Sequence, residues 1–116
     1  MNEIHVTAHV KIHEGKIDRF QELSKEFIKI ARLEDGKTLQ YDWFFNEDKT
    51  ECVVHEKYIN SDAVLEHIAN LGENLMGELR TLCEFSPLII CGTPSEQLTK
   101  VMERLDNKVY HYFKGL

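Results

Sequence analysis

The chain has 116 residues, 42% of them hydrophobic and 29% charged, which is typical of one globular domain with a single core. Its formal net charge of −6 argues against a nucleic-acid partner, because phosphate binding needs clustered Lys and Arg. No apolar run approaches the ~20 residues of a membrane span, and the N-terminus does not look like a signal peptide. The three cysteines are widely spaced without a CxxC pair, which predicts reduced, mostly buried thiols in a cytoplasmic protein.

The first half of the chain predicts a strand, a helix and a hairpin. Apolar and polar residues alternate over 4–12, as they do in a strand with one buried face. From 16 to 33 apolar residues recur every three or four positions, which indicates an amphipathic helix. Gly36 follows as a left-handed C-cap. The stretches 38–45 and 51–58 flank a polar turn and predict an antiparallel hairpin.

The second half predicts another helix and a final strand of the same sheet. Ser61 is a suitable N-cap, and an apolar face continues to about Cys83. Gly72 weakens this helix, so we expect a kink or break over 70–72. Residues 88–91 predict a short buried strand.

The C-terminal part, 93–116, predicts a third helix and an extended end. Thr93 is the expected N-cap, Pro94 the first helical residue, and Glu96 the partner in a capping box. Residues 109–113 predict a last short strand or an extended tail.

The element order predicts an α+β fold of the ferredoxin-like βαββαβ type. It has a four-stranded antiparallel sheet with two helices on one face, plus the C-terminal helix and short strand. We expect one domain over 1–116, with its core in 1–92. The hairpin strand carries apolar groups on both sides, such as Trp43 and Phe44, so we expect the open sheet face to pack against a second copy in a homodimer. Residues 93–116 are expected to clasp that partner.

Several stretches in this order resemble the antibiotic biosynthesis monooxygenase (ABM) domain family. They are Gly36, TLQYDWF at 38–44, the segment 51–58 that begins with EC and ends with EKY, DAVLEH at 62–67 and GTPSEQL at 92–98. The resemblance implies a dimeric α+β barrel. It also implies oxidation of quinol or polyketide aromatics by molecular oxygen without flavin, haem or metal, so no cofactor is expected. Lys37 departs from the family pattern as an inserted residue.

The same superfamily also contains haem-degrading enzymes and isomerases, so the fold alone does not fix the reaction. The positions that matter for haem degradation correspond here to Ala8, Tyr58 and about Gly77. These residues do not match that branch, which argues against haem degradation.

His67, Glu56 and His9 are the predicted catalytic residues. His67 and Glu56 match positions typical of the family, and a carboxylate beside an imidazole raises its pKa and fixes its tautomer. The alternative is a structural hydrogen bond that ties helix to sheet. His9 is a second candidate base, or simply a partly buried polar residue. His5 lies about 13 Å from His9 along the strand, too far for the two to bind one metal ion, and no metal site is predicted.

Tyr41, Trp43 and Tyr58 are the predicted substrate-binding residues, because aromatic walls stack flat molecules and phenol hydroxyls bind quinol oxygens. The alternative is packing in the dimer core. The leading hypothesis is a cofactor-independent monooxygenase that oxidises a small quinol- or anthrone-type aromatic. Two alternatives remain: a non-catalytic dimer that binds a small ligand, and an isomerase or dehydratase on the same scaffold.

Overall fold

The computed structural model describes residues 2–116 as one mixed β-sheet with three helices. The elements, in chain order, are β1 (Ile4–Ile12), α1 (Ile17–Glu34), β2 (Thr38–Phe45), β3 (Glu51–Tyr58), α2 (Ser61–Leu82), β4 (Cys83–Phe85), β5 (Leu88–Cys91), α3 (Glu96–Met102) and β6 (Asn107–Tyr110). The predicted α+β, ferredoxin-like fold is confirmed, and the sheet is open rather than closed on itself. No helix within 2–116 is long and apolar enough to span a bilayer.

The sheet is larger than the predicted four strands. Its order is β2-β3-β1-β5-β6, and the short β4 pairs with the other end of β1. Strand β1 is therefore central and antiparallel to β3, β4 and β5, whereas β6 runs parallel to β5. Sequence patterns missed β4 because it has three residues, too few to show a period of two.

The core lies between the sheet and helices α1 and α2. Alternate residues of β1 face this layer, and α1 contributes the fully buried Phe20 and Phe27. The ring of Trp43 packs edge-on against Phe20 and Phe27, with centroids 5.9 and 5.7 Å apart, and Phe45 packs against Phe20 at 5.9 Å. Trp43 and Phe45 therefore belong to the core of one chain, and the suggestion that Trp43 packs in a dimer core is wrong.

The helix-covered face of β2 begins at Tyr41, although strict alternation would also place Leu39 on it. The pairing with β3 shifts between Thr38 and Gln40, which displaces Leu39. Leu39 is 52% exposed, while Tyr41 lies on the helix-covered side. This irregularity is a β-bulge, which adds one residue to a strand and redirects its neighbours.

Helix boundaries differ from the predicted caps at three places. Asn60, rather than Ser61, caps α2 by accepting from the backbone N–H of Ala63. Ser95, rather than Thr93, caps α3. Helix α1 ends at Asp35 in an extended conformation, so Gly36 is not a left-handed cap.

The predicted break in α2 is confirmed at Gly72, whose φ of 75° and ψ of 164° interrupt the helix. Only glycine readily adopts a positive φ of this kind, which explains why the break falls at this residue.

The outer sheet face, defined as the side away from the helices, remains partly apolar. Phe44, Ile89 and Tyr110 are each more than 40% exposed, and Phe113 in the tail is 92% exposed. Of the three cysteines, Cys52 and Cys83 are buried as expected, whereas Cys91 is exposed.

Candidate functional site

A cavity of about 110 Å³ lies between the sheet and the helices. Strands β1, β2 and β3 form its floor, α1 and α2 its roof, and the region from β4 to α3 one end. Its lining is mostly apolar. The exceptions are the side chains of Tyr41, Trp43, Glu56 and His67. Four of the six residues predicted to form the site are thus brought together.

The hairpin places three of these residues by its pairing register. Tyr41 lies directly opposite Glu56 and Trp43 opposite Val54, so all four point to the helix-covered side of the sheet. His67 approaches from α2, where its ring contacts that of Tyr41 edge-on at a centroid distance of 4.7 Å. One strand pair and one helix therefore define the polar end of the cavity.

His67 forms a hydrogen bond with Asp35, not with Glu56 as predicted. Its Nδ1 lies 2.6 Å from Oδ2 of Asp35, and the two side chains are 4% and 2% exposed. Because an ionised carboxylate only accepts hydrogen bonds, Nδ1 carries the proton and Nε2 of the neutral ring is unprotonated. The predicted pairing failed because Glu56 is instead held by its own strand.

Asp35 is the functional residue that sequence reasoning missed. Its carboxylate also accepts from Oγ1 of Thr38 at 2.8 Å and from Nδ2 of Asn70 at 2.7 Å. The available signal was an Asp at the end of a helix, which reads as a simple helix stop. Only the packing of α1 against α2 shows that this carboxylate is buried beside an imidazole.

Glu56 and Tyr58 form a second polar pair. The hydroxyl of Tyr58 donates to Oε1 of Glu56 at 2.5 Å. Tyr58 is completely buried and is not part of the cavity lining, and its ring lies 5.5 Å from that of His67. Tyr58 therefore contacts Glu56 and His67 and does not form the substrate-stacking wall that was predicted.

Burial moves the pKa values of the cavity residues in different directions. Loss of water raises the pKa of Glu56 to about 7, against the opposing hydrogen bond from Tyr58. Burial also lowers the pKa of His67, although the hydrogen bond and charge of Asp35 oppose the shift. The pKa of Tyr41 is raised well above its usual value by burial and by the charge of Glu56. Near neutral pH, His67 is thus a neutral base beside a carboxyl group that is partly protonated.

His9 lies on the outer sheet face and does not line the cavity. Its Nδ1 is 2.7 Å from Oγ of Ser86, and its Nε2 is 2.5 Å from Oε1 of Glu51. The prediction that His9 serves as a pocket base is therefore not supported by its position. Residues of β1 alternate between faces, and the odd-numbered ones point away from the helices.

Trp43 adds an unpaired donor to the site. Its Nε1 is buried and has no hydrogen-bond partner within residues 2–116. A buried N–H without a partner is costly, so a ligand oxygen at this position would satisfy it. Within the same residues, no group of three or more His, Cys, Asp or Glu side chains is arranged to hold a metal ion.

Residues 3–70 match the family model described as antibiotic biosynthesis monooxygenase, which covers more than half of the chain. The chain belongs to this family. The matched segment includes every polar residue of the cavity, together with Asp35. No curated protein sequence matches the chain.

Solved structures of low sequence identity share the fold. MupZ from Pseudomonas fluorescens is 20% identical, with a TM-score of 0.83 over 100% of this chain and 94% of its own. SnoaB, a cofactor-independent oxygenase from Streptomyces nogalater, is 14% identical, with a TM-score of 0.65 over 82% of this chain and 96% of its own. Rv0793 from Mycobacterium tuberculosis is 21% identical, with a TM-score of 0.66 over 82% of this chain and 98% of its own.

Proposed function

We propose that this protein is a cofactor-independent oxygenase for a small electron-rich aromatic, with His67 as the base. The observation that carries the proposal is the buried His67–Asp35 pair: His67 lines a mostly apolar cavity, and its Nδ1 is held by Asp35, which leaves Nε2 as the nitrogen that can take a substrate proton. The family and the fold shared with SnoaB support oxygen chemistry. An engineered apolar cavity of about 150 Å³ accepts benzene, so the cavity of about 110 Å³ favours a single-ring quinol over a three-ring anthrone.

The mechanism follows from the polarity of the site. Nε2 of His67 takes the phenolic proton, and Asp35 stabilises the resulting imidazolium. The electron-rich anion passes one electron to O₂, and the substrate radical and superoxide combine to form a C–O bond. His67 returns its proton to the peroxide and then takes the proton of the carbon that carries it; the O–O bond breaks, a carbonyl forms, and the released hydroxide takes that proton to leave as water. For a ring C–H ortho or para to the phenolic O–H the balance is C–H + O–H + O₂ → 2 C=O + H₂O, and the product is a quinone.

Glu56 supports a second candidate, an isomerase that moves a proton within an unsaturated carbonyl compound. A carboxyl group with a pKa of about 7 can donate a proton near neutral pH while His67 removes another. This reaction needs no oxygen. Anaerobic incubation in D₂O separates the two candidates, because only the isomerase exchanges substrate C–H for C–D without oxygen.

The direct test is oxygen uptake with a panel of single-ring quinols under aerobic and anaerobic conditions. We expect His67→Ala to reduce uptake about 100-fold or more, as loss of a general base does. His13→Ala is the matched control, because His13 is exposed and distant from the cavity lining. Uptake by wild type no greater than by H67A refutes the oxygenase proposal.

We also propose that the chain forms a homodimer through its outer sheet face. The exposed Phe44, Ile89 and Tyr110 on this face, and Phe113 in the adjoining tail, support it. Light scattering should give about 27 kDa, twice the 13.6 kDa of one chain. Phe44→Asp should shift the protein towards the monomer, and a stable wild-type monomer contradicts the proposal. The cytoplasmic location stays a prediction.

A further inference from the structure

The cavity is separated from a surface groove by a thin apolar wall. The groove has a volume of about 280 Å³ and shares four residues with the cavity lining: Met76, Phe85, Leu88 and Leu105. These side chains are the boundary between the two spaces. Met76 is unbranched and flexible, so it can change rotamer to join them.

The rest of the groove is polar and carries charge of both signs. Its remaining lining residues are Arg80, Ser86, Arg104 and Asp106. Arg80 already donates to Glu73 at 3.2 Å, whereas Arg104 has no ion pair within residues 2–116. One arginine is therefore available to an anion, and the second lies in the same groove.

The groove lies outside the segment that matches the family. That segment ends at residue 70, and every groove residue lies between Met76 and Asp106. The proposed base His67 and its partner Asp35 both lie within the matched segment 3–70. The groove is formed instead by the second half of α2, the β4–β5 connection and the residues after α3. The groove residues therefore lie apart from His67 and Asp35 in the sequence.

The volume of the cavity limits how much of a substrate it can hold, and the rest of the substrate would lie in the groove. A cavity of about 110 Å³ accommodates roughly one six-membered ring. Any further part of the substrate has to extend past Met76 and Leu105 into the groove. An aliphatic chain suits this apolar wall, and an acidic end group suits Arg104. Asp106 in the same groove favours a monoanion over a phosphate dianion.

We propose that the substrate is a single-ring phenol whose aliphatic side chain ends in a carboxylate bound by Arg104 and Arg80. The phenol occupies the polar end of the cavity beside His67, and the chain crosses the wall at Met76 and Leu105. This inference rests on the proposed function for the position of the ring. The carboxylate site itself is independent of whether oxygen is consumed.

Trp43 provides a direct measure of cavity occupancy. It is the single tryptophan of the chain and lines the cavity, so quenching of its fluorescence reports a bound ring. The probes are 4-hydroxyphenylalkanoic acids of increasing chain length and their methyl esters, titrated under nitrogen to prevent turnover. The variants are Arg104→Ala and Arg80→Ala. The matched control is Arg32→Ala, which removes the same charge from an exposed residue of α1.

Long-chain acids should bind wild type about tenfold more tightly than their esters, as expected for charge-assisted hydrogen bonds to a carboxylate. Arg104→Ala should abolish this preference, Arg80→Ala should weaken it, and Arg32→Ala should leave it intact. Equal affinity for acids and esters, or an equal loss in R32A, overturns the inference.

Oxygen uptake with the same ligands separates the two proposals. Tight, Arg104-dependent acid binding without oxygen uptake keeps this inference and refutes the oxygenase. Uptake with esters and acids alike keeps the oxygenase and refutes the carboxylate site. Absence of Trp43 quenching by every probe refutes this inference, whereas the oxygenase is still decided by oxygen uptake with the quinol panel.

Discussion

Replacement of Asp35 by Asn tests the buried network that defines the site. The amide keeps the shape of the side chain, and its oxygen can still face His67, which is buried. The hydrogen bonds from His67 and Thr38 then go to a neutral amide oxygen, and the bond from Asn70 is lost because the new N–H₂ group faces the donating amide of Asn70. Because Thr38 and Asn70 are only partly buried and can be rehydrated, we expect a net loss of about 2 kcal/mol in the free energy of unfolding.

The same change should lower the pKa of His67 further. In the native protein burial lowers this pKa, and the hydrogen bond and charge of Asp35 partly oppose the shift. Removal of the charge leaves burial alone, so Nε2 becomes a weaker base and kcat should fall. An NMR titration of the His67 ring measures the pKa, and urea unfolding measures the free energy.

Asp42→Asn is the matched control, because Asp42 is exposed and accepts only from its neighbour Gln40. It removes the same charge and should change the free energy of unfolding by less than about 0.5 kcal/mol. If D35N behaves like D42N in urea, the network does not contribute as argued. If the pKa of His67 is unchanged or higher in D35N, the charge of Asp35 does not raise this pKa as argued.

Three other predictions follow from the cavity and the backbone. The folded-state pKa of Glu56 is about 7, above its usual 4.5, so its contribution to stability is complete below pH 4.5 and is lost as the pH rises through 7. The free energy of unfolding of E56Q, measured in urea, should therefore rise relative to wild type by up to about 3 kcal/mol between pH 4.5 and 8. A difference between the two proteins that does not change with pH contradicts this prediction. Tyr58→Phe should raise the pKa of Glu56 in a carboxyl ¹³C titration, because the donated hydrogen bond is lost; an unchanged pKa contradicts it. Gly92→Ala should cost more than about 2 kcal/mol by thermal unfolding, since its φ is 128° and a Cβ would lie 2.6 Å from the carbonyl oxygen of Glu3. Gly77→Ala, in open helical space, should instead be neutral or stabilising, and similar losses in both variants refute the strain argument.

Local patterns in the sequence predicted most of the secondary structure. Alternation placed β1, β2 and β3, three- and four-residue spacing placed α1 and α2, and the break at Gly72 followed from glycine propensity. These features depend on neighbours along the chain. The bulge at Leu39 was missed because one extra residue in a strand depends on its pairing with β3.

The candidate site was predicted only in part, for a related reason. Alternation and the family resemblance identified Tyr41, Trp43, Glu56 and His67, which do line one cavity. His9 was a second candidate base, yet the pleat of β1 turns that side chain to the face away from the helices. Choosing between faces requires knowing which side the helices cover.

By itself, the sequence determined the order of the elements other than β4, the family and the residue types available for acid–base chemistry. Tertiary structure alone decided which partners those residues have. Asp35 and His67 are 32 positions apart and meet because α1 ends where α2 passes over the sheet. Contacts of this kind depend on the packing of whole elements, whereas periodicity records only neighbours along one element. The proposed base therefore takes its hydrogen-bond partner from a helix end that, in the sequence, indicated only the end of α1.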